Sequence, residues 1–339
     1  MANTYYGDSF RDVVSQNSAN GYYNIYTYGG NDDITLRLNQ TYVEAGSGND
    51  VVRSNIEFQN DVYLGTGNDT YTGNGFTTYA SRYDLVSGGD GLDTFNISTS
   101  VSKYYGDGGN DTFNSAGYSN YLNGGAGTDT VSYLRQDSDS FLSGQGVEID
   151  LYNEYAYTGA SREETLFNFE NAKGTSYADT VKGDNGRNLL WGMNGNDVVD
   201  GRGGNDVLYG GNGADDLYGS SGADRLTGGR GNDYLNGGIS ADQFIFLAAS
   251  DSVVGANRDV IADFFRSEND TINLSAIDAV QGGGNNAFDY VGGAAFSGTA
   301  GELRFINHIL QGDVDGDGTA DFEIKVTGVN TLINGDFLL

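Results

Sequence analysis

Asp179, Asp197, Asp206, Asp215, Asp224, Asp233 and Asp242 recur at multiples of nine residues, and Asn188 fills the remaining place in the series. No base or nucleophile recurs beside them, so the chemistry open to them is that of hard oxygen ligands. Each closes a turn that begins on glycine, at Gly174, Gly183, Gly192, Gly201, Gly210, Gly219, Gly228 and Gly237. Two places further on stands a large apolar residue, such as Val181, Leu208 or Leu235. The unit reads G-G-x-G-x-D-x-U-x, with U apolar. Its glycines permit a tight turn and let backbone carbonyls crowd around an ion. Its tail alternates, as a short strand with one inward face does.

Two such units make one coil, and equivalent residues of successive coils then stack about 4.7–4.9 Å apart. Stacked carboxylates at that spacing repel by roughly 3 kcal/mol at an effective dielectric near 20. A Ca²⁺ between coils reverses the sign, because it takes 6–8 oxygen ligands at about 2.3–2.6 Å. Asp197 is therefore expected to share an ion with the turn of Asp215, and Asp206 with that of Asp224. Asp215 and Asp233, and Asp224 and Asp242, should pair likewise.

The same rule extends toward the N-terminus at double period. Asp12, Asp32, Asp50, Asp69, Asp93, Asp111 and Asp129 are separated by 20, 18, 19, 24, 18 and 18 residues. Small-residue turns precede most of them, as in Gly46-Ser47-Gly48-Asn49-Asp50. The half-turns between them, such as Asp84-Leu85-Val86-Ser87-Gly88, lack those glycines. Calcium turns are thus expected along one edge only, with Tyr-rich turns along the other. Asp313, Asp315 and Asp317 begin like an EF-hand loop, with Asp321 at its ninth place. Ile324 stands where that loop requires its bidentate Glu. In all, calcium on the order of ten ions is expected.

These ligands need a scaffold that repeats with them. The reading is an all-β parallel β-roll, a solenoid of Gly/Asp-rich nonapeptides with a β-rich C-terminal cap. Residues 1–130 form an irregular Tyr-rich roll with one calcium edge. Residues 131–173 form an enlarged coil, residues 174–243 the regular roll, and residues 244–339 the cap. Strands are expected at Val147-Glu148-Ile149-Asp150-Leu151, Asp259-Val260-Ile261, Asp270-Thr271-Ile272-Asn273-Leu274 and from Phe322 to Val326.

Composition sets the outer bounds. The 339 residues include 54 Gly, no Pro and no Cys, and carry a net charge of −30. Nucleic acid and anionic membrane both need a basic footprint, which this chain lacks. The 24 Tyr and 17 Phe oppose plain disorder. Without Cys there is no disulfide or thiol chemistry, and the single His308 leaves no two-His metal helix. The sequence shows no basic-then-apolar leader and no apolar run long enough to span a membrane.

The nonapeptide block resembles the RTX family of calcium-binding proteins. Asp129-Thr130-Val131-Ser132-Tyr133 and the re-entry from Phe169 through Gly174 to Thr180 resemble the usual RTX interruption. Ala241-Asp242-Gln243-Phe244-Ile245-Phe246, the stretches from Asp259 to Phe265 and from Asp270 to Leu274, and Gly335-Asp336-Phe337-Leu338-Leu339 look like the C-terminal domain of serralysin-type metalloproteases. The resemblance implies export from a Gram-negative bacterium by the type I secretion machinery, read from an uncleaved C-terminal signal, with folding outside the cell on calcium. It does not extend to protease activity, because no His-Glu-x-x-His helix is present.

The functional expectation is a secreted, non-enzymatic calcium-binding protein of a surface, matrix or adhesin type. The Tyr-rich strands at 5–28 and 118–157 invite a polysaccharide or cell-surface partner. The alternative is a carbohydrate-active enzyme on the N-terminal roll, but no carboxylate pair stands out for that work.

Overall fold

In the computed structural model, residues 3–16, 21–55, 59–75, 83–138, 144–159, 163–280 and 286–339 are described. The chain forms two compact units, Met1–Thr175 and Ser176–Leu339. Both are built from β-strands, and the only helices among the described residues are short 3-10 turns.

In the first unit every coil contributes one strand to each of two parallel sheets. One runs from Asn3–Tyr6 and Tyr22–Tyr26 through Tyr42–Ser47, Asp61–Thr66, Leu85–Gly91 and Lys103–Gly109 to Tyr121–Asn123. The other runs from Val13–Ser15 and Asp33–Leu36 through Val51–Ser54, Thr70–Asn74, Thr94–Ser98 and Thr112–Ser115 to Thr130–Ser132. Register follows the apolar alternation, since a slip of one residue would turn the core outward. Ile25, Val43, Val62, Val86, Tyr104 and Leu122 stack as one buried column. Ile34, Val52, Tyr71, Phe95, Phe113 and Val131 stack as the facing one.

The interruption is spliced into this frame. Val147–Asp150, Tyr155–Thr158 and Glu163–Phe167 form an antiparallel meander. Its last strand rejoins the roll by pairing in parallel with Tyr121–Asn123, and Asn171–Lys173 pairs with Thr130–Ser132. The buried Glu164 fixes the splice. Its carboxylate accepts hydrogen bonds from Ser115 Oγ at 3.0 Å, Asn120 Nδ2 at 2.7 Å and Tyr133 Oη at 2.9 Å.

In the second unit the regular repeats stack without slippage. Val181, Val199, Leu217 and Leu235 form one inward column, and Leu190, Leu208, Leu226 and Phe244 the other, all fully buried. The expected C-terminal strands are found at Asp259–Ile261, Thr271–Asn273 and Phe322–Val326. The first two continue the roll by pairing with Tyr234–Asn236 and Gln243–Ile245. Beyond them, Phe322–Val326 and Phe337–Leu338 cover the edges that would otherwise add further strands. No helix among the described residues is long and apolar enough to cross a membrane.

Candidate metal centre

The turn aspartates stand in columns held by one repeated hydrogen bond. The backbone N–H of each donates to Oδ1 of its equivalent one coil later. Asp179 donates to Asp197 at 2.8 Å, Asp197 to Asp215 at 2.9 Å, and Asp215 to Asp233 at 2.9 Å. On the opposite edge Asn188 donates to Asp206 at 2.7 Å, Asp206 to Asp224 at 2.7 Å, and Asp224 to Asp242 at 2.9 Å. The first unit repeats the pattern from Asp12 through Asp32, Asp50, Asp69, Asp93 and Asp111 to Asp129.

That bond uses one oxygen of each carboxylate and leaves the other buried. Among the described residues, no donor reaches Oδ2 of Asp32, Asp50, Asp69, Asp93, Asp111 or Asp129. The same holds for Asp197, Asp206, Asp215, Asp224, Asp233 and Asp242. A buried charged oxygen without a partner is strongly unfavourable, so something with positive charge has to meet it.

The space beside it identifies that something. A methyl group built on Gly210 would lie 2.4 Å from Asp215 Oδ2 and 2.7 Å from the Gly228 carbonyl oxygen. At Gly219 the corresponding distances are 2.4 Å to Asp224 Oδ2 and 2.5 Å to the Gly237 carbonyl. At Gly106 they are 2.2 Å to Asp111 Oδ2 and 2.2 Å to the Gly124 carbonyl. Carboxylate and carbonyl oxygens of successive coils thus converge where no side chain fits. A hard cation with oxygen ligands at about 2.3–2.6 Å suits such a cradle. The inner glycines bring the coils this close: Gly213 has φ +142°, and a side chain there would fall 1.4 Å from the Gly195 carbonyl oxygen.

Burial raises the proton affinity of these carboxyls in the absence of metal. Desolvation pushes Asp197, Asp206 and Asp215 up to about 7, and Asp242, with its neighbours Asp224 and Asp270, to about 8. A cation removes the cause by supplying the compensating charge.

The predicted ligands do not all share one geometry. Asp12, in the first coil, is half-buried, and its carboxylate accepts from Tyr5 Oη at 2.7 Å and Asp8 N–H at 3.1 Å. Asp179 heads its column and is buried. Asp313, Asp315 and Asp317 are brought together, with carboxylate oxygens within 4.8 Å of one another. There Asp313 accepts from Gly316 and Gly318 N–H at 2.7 and 2.9 Å, while Asp321 accepts from Val314 N–H at 2.6 Å.

Two sets of residues escaped sequence reasoning. Asn49, Asn110, Asn196 and Asn205 precede the turn aspartates, and their side-chain carbonyls accept the next coil's N–H at 2.9–3.0 Å. The recurrent Asn-Asp dipeptide was the available signal. Glu170 replaces an aspartate after the interruption, accepting the Asp129 N–H at 2.7 Å. The Asn168 carbonyl there takes the place of a turn glycine's, beside Asp129 Oδ2. No spacing rule reaches across the inserted meander to find either.

The second edge of the first unit is built differently, although Asp84 Oδ2 is buried there without a hydrogen-bond partner among the described residues. Its column runs through Thr41, Asn60, Asp84, Ser102 and Asn120, joined by N–H bonds of 2.9–3.1 Å to side-chain oxygens. Asp84 is the one carboxylate among these, facing Asn60 and the Tyr71 hydroxyl. Outside, Tyr6 stacks on Tyr26 at 5.6 Å, and Tyr42 lies 5.8 Å from Tyr26 and 5.6 Å from Tyr63. These rings turn toward one another along the roll, as cross-strand aromatic ladders do.

The RTX calcium-binding nonapeptide repeat (4 copies) matches residues 105–137, 173–208 and 209–244. No match was found among curated proteins. Among solved structures, the chain is similar to the solution structure of the AlgE6R3 subunit from the Azotobacter vinelandii mannuronan C5-epimerase. The identity is 24%, over 48% of this chain and 78% of that one, with a TM-score of 0.29. The chain therefore carries RTX calcium-binding nonapeptide repeats, set on an all-β, parallel, roll-like framework.

Proposed function

We propose that this chain is an exported protein whose roll folds only where calcium is abundant, and that it serves as a non-enzymatic extracellular scaffold or surface component. The observation that carries this reading is the row of buried Oδ2 atoms without hydrogen-bond partners, with a converging carbonyl of the next coil beside those of Asp93, Asp111, Asp197, Asp215 and Asp224. Asp32, Asp50, Asp69, Asp93, Asp111 and Asp129 supply one row. Asp197, Asp215 and Asp233, with Asp206, Asp224 and Asp242, supply two more. Asp12, Asp179 and the loop of Asp313, Asp315 and Asp317 are further ligands in this proposal.

Extracellular calcium modules bind with Kd near 10⁻⁴–10⁻³ M, far above free cytosolic calcium. A chain built on such sites stays open during passage through an exporter and closes outside. Coexpression with a type I exporter in a Gram-negative host tests the route. The full-length chain is expected in the medium only when the exporter is present. Retention in the cells despite a working exporter would count against export.

A further inference from the structure

The three most exposed large apolar side chains among the described residues lie on one coil, the first. Phe10, Val13 and Tyr6 are 74%, 69% and 66% exposed. In that coil Asn3–Tyr6 leads through the turn from Gly7 to Asp12 into Val13–Ser15. Among the described residues, Asn3–Tyr6 pairs only with Tyr22–Tyr26, and Val13–Ser15 only with Asp33–Leu36. Each strand therefore turns a row of unpaired backbone N–H and C=O groups outward, an edge on which a further strand can form. Terminal repeats of stacked folds ordinarily present a polar outer face. In the second unit the last strands are covered by Phe322–Val326 and Phe337–Leu338. The first coil has no such cover among the described residues, and it presents aromatic and aliphatic surface instead.

This surface is complementary to itself. Tyr6 stacks on Tyr26 at 5.6 Å with 12° between the ring planes, so the next coil covers one face of the ring. Among the described residues no ring covers the other face. Phe10 stands in the turn between Asp8 and Arg11, which are exposed and of opposite charge. One Asp8 oxygen accepts the Phe10 N–H at 2.8 Å, and Arg11 reaches Asp33 only at 3.8 Å. A twofold axis through this turn sets Phe10 against Phe10 and Asp8 against Arg11 of a second copy. The same axis lays Asn3–Tyr6 antiparallel to Val13–Ser15 of the second copy, with Tyr6 opposite Val13. An aromatic ring opposite a β-branched residue is a favourable cross-strand pair.

We propose that the first coil docks on the first coil of a second copy of this chain, about a twofold axis through the Phe10 turn, to form a closed dimer. An isologous contact of this kind uses up the open edge of both copies, so assembly stops at two. The net charge of −30 opposes association. Calcium in the turns offsets that charge, so the dimer rests on the calcium reading and is expected in calcium.

Sedimentation velocity of the full chain in millimolar calcium should give twice the chain mass. Phe10→Glu, and separately Val13→Lys, should return the monomer while far-UV circular dichroism stays that of the folded parent. The chain has no Cys, so single substitutions give a second readout. Mild oxidation should link two copies through Phe10→Cys. It should leave Ile239→Cys, at a site 60% exposed in the regular roll, unlinked. A folded chain that stays monomeric in calcium throughout the micromolar range would overturn the dimer and leave the calcium sites standing. So would larger assemblies in place of a dimer, or a dimer that survives Phe10→Glu. A circular dichroism spectrum indifferent to both calcium and chelator would overturn the calcium reading beneath it.

Discussion

Chelation is expected to unfold the chain. In excess EDTA at pH 8 the β signal in far-UV circular dichroism should collapse and the hydrodynamic radius should rise. Millimolar calcium should restore both in one steep transition. With calcium at one to ten times Kd, each site adds roughly 0.4–1.4 kcal/mol. On the order of ten sites then supply about 4–14 kcal/mol, comparable to the 5–15 kcal/mol that separates an ordinary domain from its unfolded state. Removal also leaves columns of buried carboxylates facing one another. Steepness follows from the shared geometry, because each ion orders the turn on which the next depends. A β-rich spectrum indifferent to chelator would contradict this.

Acid should partly replace calcium. Without metal, Asp242 and Asp259 titrate near 8, Asp197 and Asp215 near 7, and Asp224 and Asp233 near 6, against an ordinary 3.8. The folded-state values are raised, so the folded chain binds more protons than the unfolded one between these limits. Its stability in chelator is therefore greatest toward the acid end. It is lost progressively as pH rises from about 4, where the unfolded carboxyls ionise, to about 8, the highest folded-state value. In EDTA, lowering the pH from 8 to 5 should recover β signal. In calcium the sign reverses, because protons then compete with the ion for the same carboxylates. Thermal melts across this range, with and without calcium, check both signs. Parallel pH profiles in the two conditions would show that the titrating groups are not the ligands.

Much of this was legible in the sequence because stacking is a one-dimensional problem. The period that places Leu208 over Leu190 also places Asp215 over Asp197, so fold and ligand column are read from the same count. In the irregular part the Asp spacing was legible, but not that Val62 and Val86 stack inward across the 24-residue step between Asp69 and Asp93. Counting fails where a residue's role depends on a neighbour distant in sequence. Glu164 is buried among Ser115, Asn120 and Tyr133, contacts that only the folded meander brings together. Glu170 and Asp259 serve the columns from outside any repeat. The Tyr ladder was legible as outward strand residues, but not the way Tyr6 and Tyr26 stack ring on ring.

Asn188 shows what a neutral residue does in the column. It keeps the backbone pattern, donating its N–H to Asp206 at 2.7 Å, while its Oδ1 accepts from Asp184 N–H at 2.8 Å. Asp215→Asn copies that arrangement at a position where Oδ2 stands beside the Gly228 carbonyl. It removes a ligand when calcium is present, and in chelator near pH 5 it replaces a carboxyl that burial already keeps protonated. The decisive measurement is the urea midpoint of Asp215→Asn relative to the parent, once in millimolar calcium and once in EDTA at a pH near 5, where both retain structure. The substitution should lower the midpoint in calcium and raise it, or leave it unchanged, in EDTA. An equal loss in both solutions would mean that the carboxylate columns are held by hydrogen bonds alone and that no cation bridges them.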